Sequence, residues 1–244
     1  MVEFLNQSEP AMKRNRQLLA SFCILIAMTL YPSSGVCQER FNANPKGLYQ
    51  LGEMFIGVKK VIHYSAEKNK KEKMQFPVKG MENRAELVLT ASSRGPLRLA
   101  VNWPTYKQAT LLDVASHVPA AFTGGVLKDK WILQATVYDI KDDGIPEVVV
   151  GINRWDGDYW DANTLLTMLV YRFRVPKNTN DLGDSKNWVF TGVGKGQTLI
   201  LFDKDRIILP IGSSDSNLYL LRHDRLIDAG GAWKDANGRY KPYK

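Results

Sequence analysis

From Lys130 onward, apolar and polar positions alternate in short runs separated by turn residues. The runs are WILQATVYDI (131–140), EVVVGINRW (147–155), TLLTMLVYRFRV (164–175), WVFTGV (188–193), QTLILFD (197–203), RIILPIG (206–212) and NLYLLRHDRLID (217–228). Closely spaced strands with no helical stretch between them predict an antiparallel meander. Upstream, AELVLTASSRGPLRLAVNW (85–103) alternates on both sides of a Ser-Ser-Arg-Gly-Pro break and predicts a hairpin. TYKQATLLDVASHVPAAF (105–122) carries Ala109, Leu112 and Ala115 at helical spacing and predicts one short helix ending before Pro119. GLYQLGEMFIGVKKVIHYSA (47–66) has mixed periodicity and suits either a helix or a strand. TGVGKGQT (191–198) has the composition of a phosphate loop without its spacing, and reads as a hairpin turn.

The first 37 residues stand apart from this pattern. Lys13, Arg14 and Arg16 precede an apolar run from Leu18 to Leu30, followed by the small residues of YPSSGVC. That order predicts a signal peptide over 1–37, with Met12 as an alternative start. The run is shorter than the ~20 residues of a spanning helix, so no transmembrane anchor is expected in the mature chain. Ser34 and Val36 stand where a lipoprotein signal wants a leucine-like and a small residue, which counts against lipidation of Cys37. The predicted product is exported, periplasmic or extracellular. It spans 38–244 as a single mainly-β domain, with 230–244 expected as a mobile tail. Because Cys23 lies in the apolar run, the mature chain cannot form an internal disulfide, and its stability must come from a core.

Three basic and two acidic residues leave with the leader, taking the formal charge from +8 to +7. The excess gathers in AEKNKKEKMQFPVKG (66–80) and in WKDANGRYKPYK (233–244). Such a footprint suits nucleic acid, anionic lipid or an acidic glycan, and export removes nucleic acid from the expected partners. The plain alternative is a solvated loop and a frayed tail.

The turn YDIKDDGIPEVVVG (138–151) raises the sharpest chemical question. A hard cation such as calcium takes several oxygen ligands from one tight loop, with a glycine at the bend. Asp139, Asp143 and Glu147 stand at the first, fifth and ninth positions, Gly144 at the sixth, and Ile145 offers its carbonyl at the seventh. The stretch resembles the calcium-binding turn of FG-GAP repeats, the blades of integrin-type β-propellers. That resemblance implies calcium as cofactor, Asp139, Asp143, Ile145 and Glu147 as ligands, and a propeller-blade-like arrangement. It covers about fourteen residues, and it departs from the family at Lys141, at Glu147 and in lacking the flanking signatures. LILFDKDRIILPIG (199–212) repeats the strand–acidic turn–strand grammar with Asp203 and Asp205. The chain holds about three such units, short of the four a closed propeller needs. The expected fold class is therefore mainly β, an antiparallel meander that is propeller-blade-like or a sandwich, with a minor N-terminal helical part. A metal-free acidic turn accounts for the same letters, since Asp and Gly suit tight connections, and Lys141 is a candidate to replace the cation.

NRWDGDYWDAN (153–163) is the second constellation. Trp155, Tyr159 and Trp160 offer ring faces, and Asp156, Asp158 and Asp161 offer carboxylates, a combination that suits a glycan or peptide surface. The alternative is an exposed loop whose aromatics fold back on the sheet. The strand between the two constellations is about 23 Å long, so they should occupy opposite ends of a hairpin. Asp156 and Asp161 can take the carboxylate spacing of glycoside hydrolysis, a condition that almost any acidic loop satisfies. His63, His117 and His223 are scattered, with His117 expected at a helix end. The function expected is an exported binding or envelope-associated module with a calcium-stabilised turn. Its alternatives are a carbohydrate-active enzyme or glycan binder using the loop from Trp155 to Asp161, and an accessory subunit of a secretion or surface assembly.

Overall fold

A computed structural model describes residues 54–64, 71–90, 95–154, 166–197, 199–211, 215–235 and 240–242. The chain is mainly β and antiparallel, as its alternation predicts. A short leading segment carries β1 (Phe55–Ile56) and β2 (Ile62–His63). Three meanders follow in chain order. The first is β3 (Lys71–Phe76), β4 (Ala85–Thr90), β5 (Arg98–Trp103) and β6 (Gln108–Leu112). After the small hairpin of β7 (Phe122–Thr123) and β8 (Val126–Leu127) comes the second: β9 (Trp131–Tyr138), β10 (Glu147–Arg154), β11 (Leu166–Phe173) and β12 (Trp188–Gly196). The third is β13 (Ile200–Asp203), β14 (Arg206–Ile211), β15 (Asp215–Arg222), β16 (Arg225–Lys234) and β17 (Tyr240–Pro242).

The second sheet lies between the other two, and its sequence says why. A strand buried on both faces reads as continuously apolar rather than alternating, and Glu147–Asn153 of β10 are all buried. Val148, Val150 and Ile152 enter one core with Leu87, Leu99, Val101 and Trp103 of the first sheet. Val149 turns to the opposite core with Ile200, Ile207, Leu209 and Tyr219 of the third. The leading segment closes the first-strand edges of two sheets: β1 pairs parallel with β13, and β2 pairs antiparallel with β9. Met54 ties the two together, donating its N–H to Gln134 Oε1 at 2.7 Å and accepting from Ile200 N at 2.8 Å.

Three expectations need correction. The helix over 105–122 does not form. Gln108–Leu112 is strand β6, paired to β5, and single 3-10 turns follow at Ala115–His117 and Pro119–Ala121. Thr110 and Leu112 point into the core while Ala109 and Leu111 face outward. The apolar outward residues hid a period of two behind an apparent period of 3.6. Helical geometry among the described residues is confined to such 3-10 turns. NLYLLRHDRLID is two strands, with His223 and Asp224 forming the turn between β15 and β16 at φ 46° and 59°. Of 230–244, residues 230–234 complete β16 and 240–242 form β17.

TGVGKGQT is the third correction, because Thr191–Gly196 belongs to β12 rather than to a turn. Gly192, Gly194 and Gly196 alternate, so they share the face turned to the third sheet. A Cβ on Gly196 would lie 2.7 Å from Leu209 Cβ, and one on Gly194 2.7 Å from Met168 Cε and 3.3 Å from Tyr219. The glycines let two sheets approach more closely than side chains permit. Lys195 N–H donates to Tyr219 Oη at 3.0 Å and its carbonyl accepts from Asn217 Nδ2 at 2.8 Å, so side chains of β15 satisfy the backbone of this edge strand.

Candidate functional site: the acidic turn and Arg172

Residues 139–146 connect β9 to β10, with left-handed backbone at Asp142 (φ 53°) and Gly144 (φ 82°). Asp139 spends its carboxylate on the turn itself, accepting from Asp143 N at 3.1 Å and from Gly144 N at 2.7 Å. Asp143 Oδ1 accepts from Ile145 N at 3.0 Å, and Glu147 Oε2 accepts from Ile140 N at 2.9 Å. The turn also docks on the first sheet, where Lys79 N–H donates to the Gly144 carbonyl at 2.8 Å.

The positive charge in this turn comes from Arg172. It stands directly opposite Glu147 in the β10–β11 ladder. Its guanidinium reaches three carboxylates: Nη1 pairs with Glu147 Oε1, Nη2 with Asp143 Oδ2 at 2.6 Å, and Nε with Asp224 Oδ1 at 3.0 Å. Asp224 belongs to the β15–β16 turn and also pairs with Arg174 at 3.0 Å. One buried cation therefore joins the second and third sheets. Lys141, the candidate substitute cation, lies 3.9 Å from Asp143 and is a minor contributor beside Arg172. Among the described residues, no three His, Cys, Asp or Glu side chains form a group able to hold a metal ion. Arg172 went unnoticed in the sequence, although a lone arginine between Tyr171 and Phe173 in a strand buried on both faces requires a partner.

The electrostatics follow from burial. Glu147 is fully buried, and desolvation pushes its carboxyl up to about 7, outweighing the Ile140 N–H and the Arg172 charge. Burial pushes Asp143 the same way, but its hydrogen bonds to Arg172 and Ile145 with the Arg172 and Lys141 charges hold it below the usual carboxylate range. Burial opposes charge on Arg172, and the bonds and charges of Asp143 and Glu147 raise it above the ordinary arginine range regardless. A carboxyl whose folded pKa is raised contributes stability that is present below its unfolded value and lost as pH rises through the folded one. From about 4.5 to about 7 and above, ionisation of Glu147 should thus cost up to about 3 kcal/mol. Urea denaturation from pH 5 to pH 8 should show falling stability, and Glu147→Gln should flatten that slope. An equal slope in both proteins would place the titrating group elsewhere.

The second constellation, Trp155, Asp156, Asp158, Tyr159, Trp160 and Asp161, lies outside the described residues. Its attachment points are described. Arg154 ends β10 and Leu166 begins β11, at the end of the sheet opposite Glu147 and Arg172. The two constellations are thus mounted at opposite ends of one hairpin. At the root of this loop Asn153 is buried and donates Nδ2 to the Gln197 carbonyl at 3.2 Å, while its Oδ1 has no donor among the described residues.

His117 is half-buried in the 3-10 turn after β6 and stacks on Phe190 at 3.6 Å between ring centroids, beside Tyr171. Asp113 caps that turn through Ser116 N and Oγ. Trp103 and Trp188 flank Phe173 at 5.1 and 5.0 Å in the core between the first and second sheets. Compared with known proteins, the chain matches no family model, no curated protein and no solved structure.

Proposed function

We propose that the chain is an exported, non-catalytic binding module of the cell envelope, built as a propeller-like array of three blades. In this reading the acidic turn is a structural joint and recognition falls to the loop between β10 and β11. The observation that carries it is the spending of the turn's carboxylates. Asp139, Asp143 and Glu147 are committed to backbone N–H groups and Arg172, while the strands that mount the opposite loop are buried on both faces. A rigid base of this kind suits a loop that must present aromatic faces in fixed positions. Calcium enters only as an addition to Arg172, on carboxylates whose charge the guanidinium already offsets.

Tryptophan fluorescence titration with soluble oligosaccharides tests the reading. Binding should be saturable in the full chain and lost in Trp155→Ala/Trp160→Ala. Turnover of any of those sugars, abolished by Asp156→Asn and Asp161→Asn, would replace it with a carbohydrate-active enzyme.

A further inference from the structure

The basic stretch 66–80 forms more than a solvated loop, because its second half is β3, and the alternation of that strand sorts its lysines onto one face and Glu72 onto the other. Met74 and Phe76 enter the core, leaving Lys71, Lys73 and Gln75 on the opposite, solvent-facing side of the first sheet. Strand register extends this side in rows. Lys71 lies beside Thr90 and Thr90 beside Arg98, while the next row runs Lys73, Val88, Ala100 and Leu111, and the third Gln75, Glu86, Asn102 and Ala109.

Glu86 is the one acid in these rows, and it is already engaged, by Lys73 at 3.2 Å and by Gln75 at 2.9 Å. Lys71 and Arg98 are exposed, and neither has an ion pair within the described residues. They stand two strands apart, about 10 Å. Lys60 brings a further ammonium to the rim, donating to the Lys73 carbonyl at 2.9 Å and blunting the β3 edge.

We propose that this face docks an acidic polysaccharide, whose anionic groups pair with Lys71 and Arg98 while its hydroxyls meet Gln75, Thr90 and Asn102. Charge complementarity and the mixture of side chains select that occupant. The face carries no aromatic ring among its described residues on which a nucleic-acid base would stack. Leu111 is its one strongly exposed large apolar side chain, at 59%, too little to enter a bilayer. The surface belongs to the first sheet, whereas the strands that carry the loop after β10 belong to the second, and the preference for glycan over nucleic acid rests on the export reading above.

Isothermal titration of the full chain with alginate, at low and high salt, tests it. Binding should appear at low salt, weaken with salt and fall about tenfold in Lys71→Gln/Arg98→Gln. Lys177→Gln/Lys204→Gln removes the same charge from other surfaces and should stay within about twofold of the parent. No binding at low salt, or equal loss in both double variants, would overturn the docking face. So would tighter binding to phosphatidylglycerol vesicles or to a single-stranded oligonucleotide. Cell fractionation of the tagged chain separates the two readings: an exported protein that ignores alginate sinks the face alone, whereas a cytoplasmic one that prefers the oligonucleotide sinks the export reading.

Discussion

At pH 8, Arg172→Met should lower the unfolding free energy by about 3–5 kcal/mol, the range for removing one partner from a buried ion pair. The guanidinium bonds Glu147, Asp143 and Asp224 at once, and methionine fills its volume without its charge. Glu147 has no exposure to water, so the variant must bury a bare carboxylate or bind a proton there. Proton uptake limits the loss, which makes the deficit smaller at pH 5 than at pH 8. Arg172→Met/Glu147→Gln should recover much of the stability, because the stranded charge is then gone. Added calcium should raise the melting temperature of Arg172→Met more than that of the parent, since only the variant has uncompensated carboxylates. An Arg172→Met protein within about 1 kcal/mol of the parent at pH 8 would show that the guanidinium is not what holds this turn.

That prediction rests on a contact between residues twenty-five apart, and it marks the limit of local reading. Strands were legible wherever one alternation or one continuous apolar run decided the matter. EVVVG announces a strand buried on both faces, and the break after Thr90 announces a hairpin. The acidic turn was legible as a turn, because Asp and Gly suit its left-handed positions. Its charge partner was not, since a ladder register that sets Glu147 opposite Arg172 depends on a connection of loop length unknown from sequence. β6 was misread for a related reason. Its outward residues Ala109 and Leu111 are apolar, so composition alone could not say which side met the core. In β12 the glycines of TGVGKG carry a meaning that only the facing sheet reveals.

Those glycines support the second large effect. Gly196→Ala should cost about 2–3 kcal/mol, as overpacking does when the obstructing atoms cannot move aside. Its new methyl would meet Leu209 Cβ at 2.7 Å, with Cδ2 and Cγ of the same residue at 3.2 and 3.4 Å. A Cβ follows its backbone, so relief requires β14 to shift against β12. Gly194→Ala meets an equally short contact, but with Met168 Cε, the far end of a flexible side chain that can rotate away. Its cost should be nearer 1 kcal/mol. Lys195→Ala, on the opposite face between them, leaves both backbone contacts to β15 intact and should change little. Alanine in place of glycine otherwise favours a strand by restricting the unfolded chain, so a loss in Gly196→Ala measures the closeness of the sheets. Denaturant unfolding of the three variants should rank them Gly196→Ala, Gly194→Ala, Lys195→Ala in order of damage. A stabilised Gly196→Ala would mean that the second and third sheets stand far enough apart to admit a methyl, and that β12 is glycine-rich for some reason other than contact.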